Sequence, residues 1–258
     1  MSILDPEYLL YTFLVFVRIA GLVMAAPFYE QKFIPVQVKI LFAVLFAYAL
    51  AGIVPMPEGL TPTVPVALAY YVIIEGLTGV VLGMSARFIF FAIRFAGDFI
   101  GLQMAFSISQ VISPADGQAS NPISNFLIMT TFLLFLILDG HHQMFRALNS
   151  SFYVVPLAGA DLHLAGDMLL TWTGRLFMTA LRLASPFMIT IFLVDMTLGI
   201  FARVAPQAEI FSLSLSLKLL VGISITFFYI QHFIPVVPEM FMQMLDDMMS
   251  MIEAIAPR

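Results

Sequence analysis

No cysteine occurs in the 258 residues, tryptophan appears once, and only 10% of positions carry a charge. Without thiols there is neither a disulfide framework nor thiolate chemistry. The few charges sum to −5, and the isoelectric point lies near 5.2. Nucleic-acid binding, which asks for a basic face, is therefore excluded as a function class. Also missing are GxSxG, HExxH, the P-loop and GxGxxG, so no enzyme signature and no cofactor signature is present. What the chain does have is apolar bulk: 61% hydrophobic residues, 26 Phe and 17 Met. A mean hydropathy of +1.01 marks an integral membrane protein with little mass outside the bilayer. The opening MSILDPEY is acidic where a cleaved leader needs basic residues, so the first apolar run is expected to be a retained helix.

Apolar runs fall near 8–28, 36–55, 65–95, 122–138, 168–198 and 210–234. A span takes about 20 such residues. Six alternating helices with an outer N-terminus put the connections 29–39, 96–121 and 199–209 inside. Lys32, Lys39, Arg87, Arg94, Arg203 and Lys218 then lie in or near inner connections, as the positive-inside rule asks. Glu58, Asp139, Asp161 and Asp167 fall outside, with both termini. Pro186 after Ser185 predicts a kink, and Asn121-Pro122 reads as an N-cap followed by proline at the first helical position. Residues 240–256 read as a separate amphipathic helix. Phe241, Leu245, Met248, Ile252 and Ile255 share one face of it, Gln243, Asp246, Ser250 and Glu253 the other. Its acidity disfavours anionic lipid, so a partner helix is the expected cover.

Against this background the charges are out of place. Arg18, Glu75, Arg87, Arg94, Asp98, Arg175, Arg182, Asp195 and Lys218 interrupt the apolar runs. At the bilayer centre each costs about 2.5–3.5 kcal/mol even on the lenient insertion scale. Snorkelling suits Arg94 and Lys218, near segment ends. Arg18, Glu75 and Arg182 have apolar sequence on both sides and are expected to be buried in protein or to face a pore.

Three further patterns stand out. Gly79-Val80-Val81-Leu82-Gly83 and Gly97-Asp98-Phe99-Ile100-Gly101 are small-xxx-small patterns that suit close helix packing. Asp139-Gly140-His141-His142 lacks the i, i+4 spacing of helical metal ligands, so a polar-capped interfacial turn is expected there and no metal. The stretch 104–114 is too polar to span and too apolar for a solvated loop. It reads as a re-entrant or pore-lining segment, or as a short interfacial helix.

These residues resemble the flagellar export-gate R subunit, the FliR family, whose virulence-secretion counterparts share the fold. The likeness runs along essentially the whole chain. It includes Arg18-Ile19-Ala20-Gly21 with Pro27 following, Glu75 with Gly79, Gly140-His141-His142 leading to Ser151-Phe152 and Pro156, and Arg203-Val204-Ala205-Pro206-Gln207. The order Gln207, Ser212-Leu213-Ser214, Lys218 is also similar to the hairpin of the gate's small Q subunit. Ala208-Glu209 departs from the family pattern.

The resemblance implies an all-α, membrane-associated fold of helical hairpins. A P-like part (1–167) is fused to a Q-like hairpin (168–234), and a C-terminal helix (235–258) follows. It implies a non-enzymatic, cofactor-free subunit, one copy joining P and Q subunits in a hetero-oligomer. That assembly passes unfolded protein substrates across the bacterial inner membrane at the flagellar basal body. It further implies a channel plug at Phe106, Ile108, Val111 and Ile112, smaller than the family's phenylalanine plug. Arg203, Pro206, Gln207 and Lys218 become a cytoplasmic hairpin tip that meets the export switch protein. Three alternatives remain: a virulence-type III secretion homologue, a small-solute secondary transporter, to which buried charges and broken helices are also suited, and an intramembrane enzyme.

Overall fold

Seven helices and no strand make up the described residues (6–26, 35–55, 65–106, 121–205 and 210–257) of the computed structural model. They are α1 (Pro6–Ala25), α2 (Val36–Ala51), α3 (Pro65–Gln103), α4 (Pro122–Ile137), α5 (Gly140–Val154), α6 (Ala165–Val204) and α7 (Ile210–Ala254). The all-α expectation holds.

The six alternating spans do not. Among the described residues, four helices (α1, α3, α6 and α7) are long and apolar enough to cross a membrane, or five spans if the bent pair α4–α5 counts as one. Helix α2 has 16 residues, about 24 Å at 1.5 Å per residue, against a hydrocarbon core of about 30 Å. Its apolar run is real but ends too soon. Two more expectations shift. Helix continues through 96–103, which sequence placed in a connection. The tail does not start a new helix but extends α7 through Pro235 and Pro238.

Helix starts and stops follow local chemistry. Asn121 caps α4 as expected: its Oδ1 accepts from Ile123 N at 3.0 Å, with proline following. At its other end, α3 closes in a Schellman turn. Ala105 takes a left-handed φ of 62°, its N–H reaches Leu102 O at 3.1 Å, and Phe106 N reaches Gly101 O at 3.0 Å. Helix α6 runs through Pro186. Proline cannot bond the carbonyl four residues back, that of Arg182, and the Ser185 hydroxyl donates to it instead at 2.8 Å.

The chain divides into two compact units. The first comprises 1–89, 139–173 and 241–258; the second comprises 90–138 and 174–240. In the first, α1 buries Tyr11, Leu14, Val15, Arg18, Ile19 and Leu22, one helical stripe at i, i+3, i+4, i+7 spacing. The tail closes this unit: Phe241, Met244, Met248, Met251, Ile252 and Ile255 are buried, and Asp161 N donates to Ile255 O at 2.9 Å. The cover expected for its apolar face thus comes from the chain itself. In the second unit, Phe90 packs on Phe135, Phe95 on Phe177, and Phe187 on Tyr229, all edge-to-face with centroids 5.1–5.7 Å apart.

Candidate functional site

The first glycine pattern sets up the most densely bonded site. Gly79 lies so close to α1 that a Cβ there would overlap the Arg18 carbonyl, and Gly83 presses on Leu22, Ala25 and Ala26. From the α1 side, a Cβ on Gly21 would stand 2.6 Å from Gly76 O. Backbone meets backbone because neither helix has side chains at the crossing. That approach brings Arg18 of α1 onto Glu75 of α3.

Both side chains are fully buried, and Arg18 Nε meets Glu75 Oε2 at 2.5 Å. Each guanidinium nitrogen finds an acceptor. Arg18 Nη2 donates to Glu75 Oε1 at 3.0 Å, and Nη1 donates to the carbonyls of Ser151 and Val155 at 3.1 and 3.0 Å. Glu75 Oε1 also accepts from Ala158 N at 2.7 Å, and the guanidinium lies 4.5 Å over the Phe152 ring. Ala158 holds a left-handed φ of 63°, a conformation costing a non-glycine residue about 1–2 kcal/mol, and its N–H is what the carboxylate grips. The clasp therefore ties the end of α5 and the turn after it to the α1–α3 pair. Two charges that would be costly in lipid are solvated by protein.

The second site is the α6–α7 hairpin, and here the charges are not enclosed. Arg182 is exposed in the chain, with Ile189, Phe192, Leu193 and Met196 exposed beyond it. Arg203 is exposed too. Lys218 Nζ pairs with Asp195 Oδ1 at 2.6 Å, with side-chain exposures of 19% and 44%, so an acidic partner for this lysine exists inside the hairpin. Pro206 and Gln207 lie outside the described residues.

The third site is the base of the suggested plug. Phe106 is half-buried at the Schellman turn; Ile108, Val111 and Ile112 lie outside the described residues. Met104 is buried against α7, where Gly222 leaves room for it. The second glycine pattern serves this region. Gly97 packs on Ser124 and Gly101 on the Asn121 side chain, while Asn121 Nδ2 donates to Gly97 O at 2.8 Å and Ser124 Oγ to Arg94 O at 3.1 Å.

Sequence reasoning missed the receptors of Arg18 on α5, because backbone carbonyls carry no sequence mark. It also missed the pairing of Asp195 with Lys218. Opposite charges in consecutive long apolar runs were a readable signal for that pair.

Fold and sites define a multi-pass, all-helical membrane protein with one charge-locked unit and one hairpin left open. Residues 9–244 match the family described as bacterial export proteins, family 1. Flagellar biosynthetic protein FliR of Pectobacterium carotovorum subsp. carotovorum is 36% identical over 209 residues, 81% of this chain and 79% of the relative. FliR of Escherichia coli (strain K12) is 31% identical over the same shares. FliR of Bacillus subtilis (strain 168) is 30% identical over 229 residues, 86% and 85% of the two chains. The chain belongs to the FliR family of bacterial export proteins, inner-membrane components of the flagellar export apparatus.

Proposed function

We propose that this chain is a structural, non-enzymatic subunit of the flagellar type III export gate. With P and Q subunits it forms the channel that passes unfolded proteins across the inner membrane, one copy to the assembly. The observation that carries this reading is the uneven cover of its long helices. In the most apolar stretch of α1, 50% of residues are buried within the chain; in that of α7, 6% are. Lipid alone would suit bare apolar faces but not the arginine at position 182, whose side chain is exposed. Neighbouring subunits or an aqueous path would accommodate both. An open recess of about 350 Å³ between Pro186, Ile225, Phe228, Tyr229 and His232 adds a place for an apolar side chain from such a neighbour.

In this reading the stretch 106–112 closes the channel at rest, as hydrophobic constrictions close pores by dewetting. Methionines from P subunits fill what Ile108 and Val111 leave open. The tip around Arg203, Pro206, Gln207 and Lys218 meets the export switch protein. The division into a P-like part (1–167), a Q-like hairpin (168–234) and a C-terminal segment (235–258) belongs to the same proposal.

The test is the mass of the intact complex purified on this chain with its native partners. One copy of this chain with several P and Q copies is expected, whereas a chain that purifies alone and moves a small solute would overturn the proposal. Removing 106–112 from the assembled gate is expected to make cells leaky to ions; unchanged conductance would take the plug away from this loop.

A further inference from the structure

The turn that leads into α5 brings together three side chains which sequence spacing kept apart. Adjacent residues on a helix point about 100° apart, and on that ground His141 and His142 do not converge. At the first turn of α5 they do: their ring centroids are 4.2 Å apart, with planes tilted by 37°. Asp139, just before the helix, adopts a left-handed backbone (φ 53°, ψ 29°), and its Oδ1 lies 3.1 Å from His142 Nδ1. One ligand atom from each of Asp139, His141 and His142 lies within 4.8 Å of the others.

We infer that Asp139, His141 and His142 form a binding site for a divalent transition cation, zinc first among them. Zinc holds nitrogen and oxygen ligands at about 2.0–2.2 Å, which spaces neighbouring tetrahedral ligands about 3.3 Å apart. The Asp139–His142 pair already stands near that spacing, and a rotation of His141 within the same cluster completes three ligands. Water would fill the fourth position, the pattern of open zinc sites. Donor chemistry selects the ion class. Calcium and magnesium ask for oxygen alone, and copper(I) prefers sulfur ligands. Two imidazoles and a carboxylate suit zinc, with nickel(II) and copper(II) as competitors. The side chains of Asp139 and His142 are 68% and 64% exposed, so the chain itself does not enclose them.

Composition makes the site testable. The chain has no cysteine and only four histidines, so His163 and His232 are the only other imidazoles and serve as controls. The experiment uses the full chain, purified in detergent on a histidine-free tag, stripped with a chelator and titrated calorimetrically with zinc chloride. One equivalent is expected to bind. His141→Ala and His142→Ala should each weaken binding at least tenfold; His163→Ala and His232→Ala should leave it unchanged.

His141→Ala is the decisive variant, because it leaves both partners of the Asp139–His142 hydrogen bond in place while removing a ligand. Full-strength binding in that variant would reduce the cluster to an imidazole–carboxylate cap. Absence of saturable binding in the parent chain would overturn the site. Circular dichroism of each variant confirms that the helices persist.

Discussion

The first unit and the α6–α7 hairpin treat the same problem, charge within apolar sequence, in opposite ways. In the first, Arg18 and Glu75 share each other, two carbonyls, one N–H and an aromatic face, and none of the charge reaches solvent. In the hairpin, Arg182 is exposed, and Lys218 meets Asp195 where both remain partly open. The difference separates charges that hold a fold from charges available to something outside it. A buried pair is costly to break and cheap to replace whole, whereas an exposed pair contributes about 0–1 kcal/mol. The two regions should therefore respond to mutation on different scales and in different assays.

The largest effect is expected at Glu75. Glu75→Ala strands the Arg18 guanidinium in the protein interior and should cost about 3–5 kcal/mol. The only tryptophan, Trp172, is 3% exposed in this unit against Phe88, so its fluorescence during denaturant titration reads the loss directly. The paired change Arg18→Met with Glu75→Leu should recover most of it. If the pair is as unstable as the single variant, the clasp is doing more than neutralising its own charges.

Next comes the helix crossing beneath the clasp. Gly79→Val forces a side chain into the Arg18 carbonyl and should cost about 1–3 kcal/mol by overpacking, on the same tryptophan signal. A cost below a few tenths would mean that α1 and α3 yield more easily than their close approach implies.

The smallest effect belongs to the hairpin. Lys218→Met should change the stability of the isolated chain by less than about 1 kcal/mol, measured by thermal unfolding in detergent. Its influence should show instead in the yield of assembled complex. A large stability loss in the isolated chain would erase the contrast between the two regions.

How far sequence reaches follows the same division. The clasp was legible as two charges that lipid penalises, and the small-xxx-small patterns as close helix packing. What held Arg18 was hidden, since Ser151 and Val155 contribute only carbonyls and the left-handed turn at Ala158 has no glycine to announce it. The tail's apolar face was legible at Phe241, Met248, Ile252 and Ile255, while Met244 and Met251 are buried in place of Leu245; its cover was not legible, because periodicity shows that a face is buried and not against what. Span number failed where the sequence was most uniformly apolar: Val36–Ala51 looks like any other run until its length as a helix is known. The convergence of Asp139, His141 and His142 was hidden for a geometric reason. Helical spacing rules apply inside a helix, and Asp139 stands one residue before it with φ positive.

Gly101 receives two strangers at a single turn of α3: the amide of Phe106, through its carbonyl, and the side chain of Asn121, against its Cα. The polypeptide thus leaves α3 and returns to α4 at one knot. Whatever lies between those two residues is stitched to the protein at both ends by bonds that do not involve it. The end of α3 and the start of α4 are accordingly held in register by contacts of their own, both made at Gly101.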